Sequence, residues 1–196
     1  MSKILITGAT GFIGASLINT LRTQGHIMSG TTRKTGVVSG PNGIPLHKIP
    51  EISVNTDWSN IISGAEVIIH LAARVHIMRD QSQNPMEAFR CVNTLGTKSL
   101  ALQAANAGIK RFIFLSTVKV AGETSPLGGF KESGPISPND PYSISKYEAE
   151  QELLKIAQRS SMEVVIIRPP LVYGPNVKGN FLSLLKLAKR NYPLPL

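Results

Sequence analysis

Tyr142 and Lys146 are the two side chains whose spacing most directly suggests chemistry. They stand four residues apart in Pro141-Tyr142-Ser143-Ile144-Ser145-Lys146, at the start of a segment of helical period, so both project from one helical face. A neighbouring ammonium stabilises phenolate and is expected to lower a tyrosine pKa from its unperturbed value of about 10, which makes Tyr142 a usable acid/base. Tyr-x-x-x-Lys is common by itself. It gains weight from Phe114-Leu115-Ser116-Thr117, 25 residues upstream of Tyr142, where an apolar strand ends on hydroxyls. A hydroxyl at that edge can share a hydrogen bond with a substrate oxygen and with Tyr142.

A second constellation lies at the other end of the chain. Gly8-Ala9-Thr10-Gly11-Phe12-Ile13-Gly14 sits between an apolar run and an amphipathic segment. Glycines there let backbone N–H groups approach a pyrophosphate with no Cβ in the way, and the helix N-terminus adds positive charge. Gly8 and Gly11 allow the tight turn, and Gly14 lets the helix pack on the sheet. The motif is weak alone and strong in its strand-to-helix setting. Dinucleotide sites of this type often carry an acid about 20 residues on, bonded to the ribose 2′-hydroxyl. Here the second strand ends Gly30-Thr31-Thr32-Arg33-Lys34, with no acid. Arg33 suits a 2′-phosphate, which favours NADP(H) over NAD(H); the plainer reading is that Arg33 and Lys34 are solvated loop charges.

The elements needed to hold these groups follow from the hydrophobic pattern. Short apolar runs alternate with longer helical segments, which predicts an α/β fold with a doubly wound parallel sheet. Strands are expected over 3–7, 26–32, 65–71, 111–116 and 164–168, with a weaker one over 44–49. Helices are expected over 12–23, ended by Gly25, and over 58–62, 85–107 and 142–159. The Pro-, Gly- and Ser-rich stretch 123–141 reads as a long surface loop near a site. Residues 1–175 make up the dinucleotide-binding domain of this reading. Residues 176–196 begin a C-terminal substrate-binding region, the rest of which is expected to be missing from the chain.

Composition narrows the classes. Of 196 residues, 42% are apolar and 17% charged, an ordinary globular balance. The formal charge of +9 is scattered rather than gathered beside stacking aromatics, which argues against nucleic acid. No apolar run approaches the roughly 18 residues that span a bilayer, so no membrane partner is expected. The lone cysteine, Cys91, excludes an internal disulfide and makes a reducing, cytoplasmic setting the default. Cys91 and Trp58 read as buried packing residues. His26, His47, His70 and His76 lack ligand spacing, so no metal is expected; His70, after a buried strand, reads as structural or cofactor-lining.

Taken in order, these segments resemble the extended short-chain dehydrogenase/reductase superfamily, in its NAD(P)-dependent nucleotide-sugar epimerase/dehydratase branch. The matching pieces are Thr7 to Gly14, His70-Leu71-Ala72-Ala73, Val92-Asn93-Thr94-Leu95-Gly96-Thr97, Phe114 to Thr117, Tyr142 to Lys146 and Arg168-Pro169-Pro170-Leu171-Val172-Tyr173-Gly174-Pro175. The resemblance implies a Rossmann fold, Tyr142 as catalytic acid/base, Lys146 on the nicotinamide ribose and Thr117 orienting the substrate oxygen. It further implies Gly8, Gly11, Phe12, Ile13 and Gly14 on the pyrophosphate, with Leu71, Ala72 and Ala73 along the adenosine. By the same resemblance Glu51 and Ile52 would stand beside the adenine, where Glu51 replaces a common Asp, and Asn93, Ser116 and Pro169 near the nicotinamide.

Arg74-Val75-His76-Ile77-Met78, Lys119 to Glu123 and Val177-Lys178-Gly179-Asn180-Phe181 are similar to enzymes that reduce or epimerise C4 of UDP-N-acetylhexosamines for surface polysaccharides. That similarity implies Arg74 and Asn180 as substrate contacts, Asn180 on the phosphates, and a homodimer through the two long helices. Dehydratase chemistry is disfavoured, since Val118 and Lys119 stand where its carboxylates would follow Thr117. A non-catalytic dinucleotide sensor or scaffold is the rival from another class.

Overall fold

The first strand, β1 (Lys3–Thr7), is apolar on both of its faces, which suits a strand covered from both sides. In the computed structural model, which describes residues 1–75, 82–177 and 179–189, β1 lies inside a six-stranded sheet. The other strands are β2 (Ile27–Thr32), β3 (Leu46–Lys48), β4 (Val67–His70), β5 (Arg111–Leu115) and β6 (Glu163–Ile167). All neighbours are parallel and the order is β3-β2-β1-β4-β5-β6. This is the doubly wound order, whose direction of winding reverses between β1 and β4.

Helices cover both faces. On one side, Ile4, Ile6 and Ile69 pack with Ile18 of α1 (Phe12–Thr23). On the other, Leu5, Ile68, Phe112 and Phe114 pack with Leu100, Ala101 and Ala104 of α4 (Thr97–Asn106) and with Ala149, Leu153 and Ile156 of α5 (Pro141–Gln158). Trp58, just before the short α2 (Ser59–Ile62), is fully buried in this second layer, as expected of a packing residue. Gly25 takes the left-handed conformation (φ 78°) that lets the chain leave α1.

The long helix expected over 85–107 is three segments. It begins as α3 (Pro85–Phe89), passes through a π segment (Arg90–Gly96) and continues as α4. The wider turn places Asn93, Thr94 and Gly96 on the buried side and leaves Cys91 exposed. This corrects the expectation that Cys91 is buried, which assumed an unbroken 3.6-residue period. Residues 123–140 contain no helix or strand. After β6 the chain enters α6 (Gly179–Lys189); His76 to Met78, Lys178 and the Tyr192–Leu196 tail lie outside the described residues.

Candidate active site

The glycine loop follows β1 directly. Gly8 has φ 71°, and the Gly11 N–H donates to the Gly8 carbonyl at 2.9 Å, closing the turn. A Cβ on Gly8 would stand 2.9 Å from the Ala72 backbone nitrogen, and one on Gly14 would press on the carbonyls of Gly8 and Ala9. The first turn of α1 has neither a side-chain cap nor an acidic residue. Its free N–H groups and positive dipole end therefore face outward, the arrangement that receives a phosphate.

Beside it opens a cavity of about 580 Å3 lined by Gly8, Gly11, Phe12, Ile13 and Gly14, by Arg33, Glu51 and Ile52, and by Leu71, Ala72, Ala73 and Arg74. The loop after each of β1, β2 and β4 contributes, as expected where winding reverses. The sequence-predicted pyrophosphate, adenine, adenosine and 2′-phosphate groups thus come together on one wall system. A cradle that a Cβ would fill, beside an uncapped helix start, fits a dinucleotide.

Behind the cradle is a buried polar chain that motif spacing did not reveal. His70 Nδ1 stands 2.6 Å from Thr7 Oγ1 and its Nε2 stands 2.9 Å from Thr97 Oγ1. Thr7 Oγ1 also accepts from the Ala72 N–H at 3.2 Å. In the neutral ring one nitrogen donates and the other accepts, so a single proton on His70 joins the two threonine hydroxyls. This couples α4 to the ends of β1 and β4, where the cavity begins.

Burial, and then the Lys146 charge, push His70 down to about 3 from 6.5. Between those two values the unfolded chain binds a proton that the folded chain does not, so stability falls as pH drops from 6.5 towards 3. In the full-length protein, unfolding midpoints measured across that range should lose about one proton's worth of slope in His70→Gln. An unchanged slope would show that His70 does not titrate on unfolding.

The second half of the site hangs on α5. Asp140 caps the helix: its Oδ1 accepts from Ser143 N–H at 2.8 Å, while Ser143 Oγ accepts from Asp140 N–H at 3.1 Å. With Pro141 opening the first turn, this reciprocal cap fixes where Tyr142 emerges. The Tyr142 ring packs edge-on to Phe89 at 6.1 Å, and the Arg74 guanidinium lies 5.5 Å from the Phe89 ring centre. Lys146 is buried, with Nζ 3.9 Å from the centre of the Phe114 ring.

The expected depression of the Tyr142 pKa is not what the geometry gives. Burial, and then the nearby Asp140 carboxylate, push Tyr142 up from 10.0, while burial drives Lys146 down to about 7 against the opposing pull of Glu150. Helical spacing placed the pair on one side of α5 but carried no account of desolvation. Burial also pushes Asp140 up, but the Lys119 ammonium and the Ser143 N–H outweigh it and hold the carboxyl below its usual range.

Thr117 caps a short 3-10 turn (Val118–Val120), accepting from the Lys119 N–H at 3.3 Å. Asn93 clamps the loop after β4. Its Oδ1 accepts from Arg74 N–H at 2.8 Å, and its Nδ2 donates to Arg74 O and to Ser145 Oγ, each at 3.0 Å. The Ser116 hydroxyl is turned into the protein and donates to Glu150, while the Pro169 carbonyl accepts from Val118 N–H at 3.0 Å. Asn93, Ser116, Thr117, Tyr142, Lys146 and Pro169 do not line the cavity around the glycine loop. Asn180 falls in the first turn of α6, and its side chain is outside what is described.

A larger cavity of about 910 Å3 lies between α1 and residues 172–176. Among the described residues no three His, Cys, Asp or Glu side chains are grouped to hold a metal, and no helix is long and apolar enough to cross a membrane.

A parallel sheet with a glycine cradle at its switch point and a Tyr-Lys helix beyond the next strand defines a nucleotide-dependent short-chain dehydrogenase type of fold. The model of the NAD dependent epimerase/dehydratase family matches residues 4–190, and the chain belongs to that family. It is 44% identical over 195 residues to a UDP-glucose 4-epimerase of Vibrio cholerae, covering 98% of this chain and 58% of that protein. The UDP-glucuronic acid 4-epimerase of Bacillus cereus, solved with NAD, superposes with a TM-score of 0.79 at 26% identity, over 98% of this chain and 65% of the other. WbmG of Bordetella bronchiseptica, solved with NAD and UDP, gives a TM-score of 0.75 at 26% identity, over 96% and 60%. The chain therefore spans about 58% of the V. cholerae relative.

Proposed function

We propose that the full-length protein carries out hydride-transfer chemistry at C4 of a UDP-sugar, with epimerisation as its outcome. The observation that carries this reading is the glycine cradle beside an uncapped α1, together with Thr117, Tyr142 and Lys146 at the ends of the neighbouring β5 and α5. The V. cholerae relative supports the sugar and the position of attack. Gly8, Gly11, Phe12, Ile13 and Gly14 would hold the pyrophosphate, Glu51 and Ile52 the adenine, and Leu71 to Ala73 the adenosine. Lys146 would hold the nicotinamide ribose, flanked by Asn93, Ser116 and Pro169. A nicotinamide bound there would accept hydride from the sugar carbon and return it.

The chain's own part is proton handling. Tyr142 would return a proton to the C4 keto oxygen, the half that its burial favours, and in the other half would have to be phenolate to take the proton from the C4 hydroxyl. The Lys146 cation stabilises the phenolate in that second direction, and the Thr117 hydroxyl orients the sugar oxygen. Arg74 and Asn180 would contact the sugar nucleotide. Leu95, Leu102 and Leu154, exposed on the π segment, α4 and α5, would meet their copies in a homodimer. The route served is surface polysaccharide synthesis.

Incubating the full-length protein with UDP-hexoses and reading the products by NMR tests the reading. A C4 stereoisomer without net dinucleotide oxidation is expected. No turnover of any UDP-hexose or UDP-4-keto sugar would overturn it.

Net reduction with NADPH is the second reading, favoured by Arg33 on the cavity wall with no acid at the end of β2. Arg33 would pair with the 2′-phosphate, so Arg33→Ala should weaken NADPH about tenfold or more, the loss of one charge-assisted contact, and leave NADH unchanged. Equal wild-type affinity for the two dinucleotides would remove the argument.

A further inference from the structure

We propose that Glu150 is a positioning residue for the reaction: its carboxylate favours the charged form of Lys146 and locks three site-bearing elements together. This rests on the function proposed above. Glu150 follows Lys146 by one helical turn on α5, and both are buried in the same layer, at 0% and 2% exposure. The carboxylate takes both Arg168 donors, Nε at 3.0 Å and Nη2 at 2.6 Å, and also accepts from the Ser116 hydroxyl. Each partner adjoins a site residue. Ser116 precedes Thr117 at the end of β5, Arg168 precedes Pro169 at the end of β6, and Lys146 shares the helix. One buried anion thus ties the ends of two strands to the helix that carries Tyr142.

The charges around Lys146 leave it little other support. On α5 it has Glu150 one turn on, and Tyr142 one turn back with Asp140 beyond, the latter paired with Lys119 at 2.7 Å. From β4 it faces His70, which is neutral at ordinary pH, and from β5 the face of Phe114. From β6, Arg168 brings a second cation, itself facing Tyr147 and Glu132 as well as Glu150. Across the π segment and α4, Arg90 is engaged with Glu148 and Lys98 with Glu152. Burial drives Lys146 down, and Glu150 is the group that opposes it. The carboxylate pairs directly with Arg168 and stands one helical turn from Lys146, so removing it strips Arg168 of its partner and Lys146 of the charge that opposes its burial.

The test is the lysine titration of the ligand-free full-length protein, followed by NMR of 13C-labelled lysine and assigned with Lys146→Met, beside the pH profile of kcat. Glu150→Gln keeps the size and most hydrogen bonds while removing the charge. It should lower the Lys146 midpoint by about one pH unit or more, the scale of one lost neighbouring charge, and the alkaline limb of kcat should fall with it. Glu150→Asp should restore most of both. Arg168→Gln should leave the midpoint at or above wild type, because it removes a competing cation.

An unmoved midpoint in Glu150→Gln, or a downward shift shared by Arg168→Gln, would overturn the proposal in favour of a purely structural ion pair. If Glu150→Gln does not fold, Arg168→Gln still decides by its sign. Failure of the proposed function would show instead as turnover that survives Tyr142→Phe, whatever the lysine titration shows.

Discussion

Tyr142→Phe in the full-length protein should lower kcat by about 10^2- to 10^4-fold, the range set by loss of a positioned general acid/base. The effect should be confined to chemistry. The ring packs against Phe89 by its edge, a contact phenylalanine keeps, and among the described residues that hydroxyl makes no hydrogen bond. Dinucleotide affinity should therefore stay within a few-fold of wild type, and so should the unfolding midpoint. Because Tyr142 is pushed up by burial and then by Asp140, the hydroxyl stays protonated through neutral pH. The direction that needs a proton donor should hold its rate there. Turnover of UDP-sugars within a few-fold of wild type would show that another group moves the proton; a wild-type protein that binds dinucleotide but turns over no UDP-sugar would support the sensor or scaffold reading.

Gly14→Ala should have the second largest effect, on dinucleotide binding. The added Cβ would press on the Gly8 carbonyl and come within 2.9 Å of the Ala9 carbonyl oxygen. Both obstacles are backbone, so no side-chain rotation relieves them. Either α1 lifts from the sheet or the loop after β1 opens, and overpacking of this kind costs about 1–3 kcal/mol. Both responses move the N–H groups that the pyrophosphate needs, so NADH or NADPH affinity in a calorimetric titration should fall about tenfold or more, as 1.4 kcal/mol is a factor of ten. The loss should be smaller for UDP-sugar binding. Unchanged dinucleotide affinity would mean that the phosphates sit elsewhere than on this turn.

The parts of this account that depend on periodicity were legible from residues alone. β1, β4 and β5 are apolar on both faces because helices cover both, and such runs between helical segments specify a parallel sheet. The glycine loop was legible because its chemistry needs the absence of a side chain, which sequence records directly. Glu51, Ile52 and Leu71 to Ala73, which the resemblance sets along the adenosine, meet it across one cavity, together with Arg33, read from the missing acid, and Arg74, expected as a substrate contact.

What sequence could not carry was environment. Tyr142 and Lys146 have the spacing of a charge-coupled pair, yet their titration is governed first by burial, which depends on elements distant in the chain. The exposure of Cys91 is not legible because a π segment leaves no mark in an apolar pattern. Glu150 does carry a signal in the sequence. Tyr142, Lys146 and Glu150 recur at intervals of four along one helix face, but their meaning requires Arg168, which arrives from β6. The Thr7–His70–Thr97 chain had no such signal, since its members come from two strands and a helix.

The measurement that bears most directly on the central claim follows the hydrogen itself. A UDP-hexose carrying deuterium at C4 is incubated with the full-length protein in ordinary water, and label is followed by mass spectrometry in substrate, epimer and bound dinucleotide. Hydride transfer between the sugar carbon and the dinucleotide held on the glycine loop predicts deuterium retained at C4 of the epimer, with part of the label trapped in the dinucleotide when turnover is quenched. Loss of that deuterium to water, with none in the dinucleotide, would contradict the account.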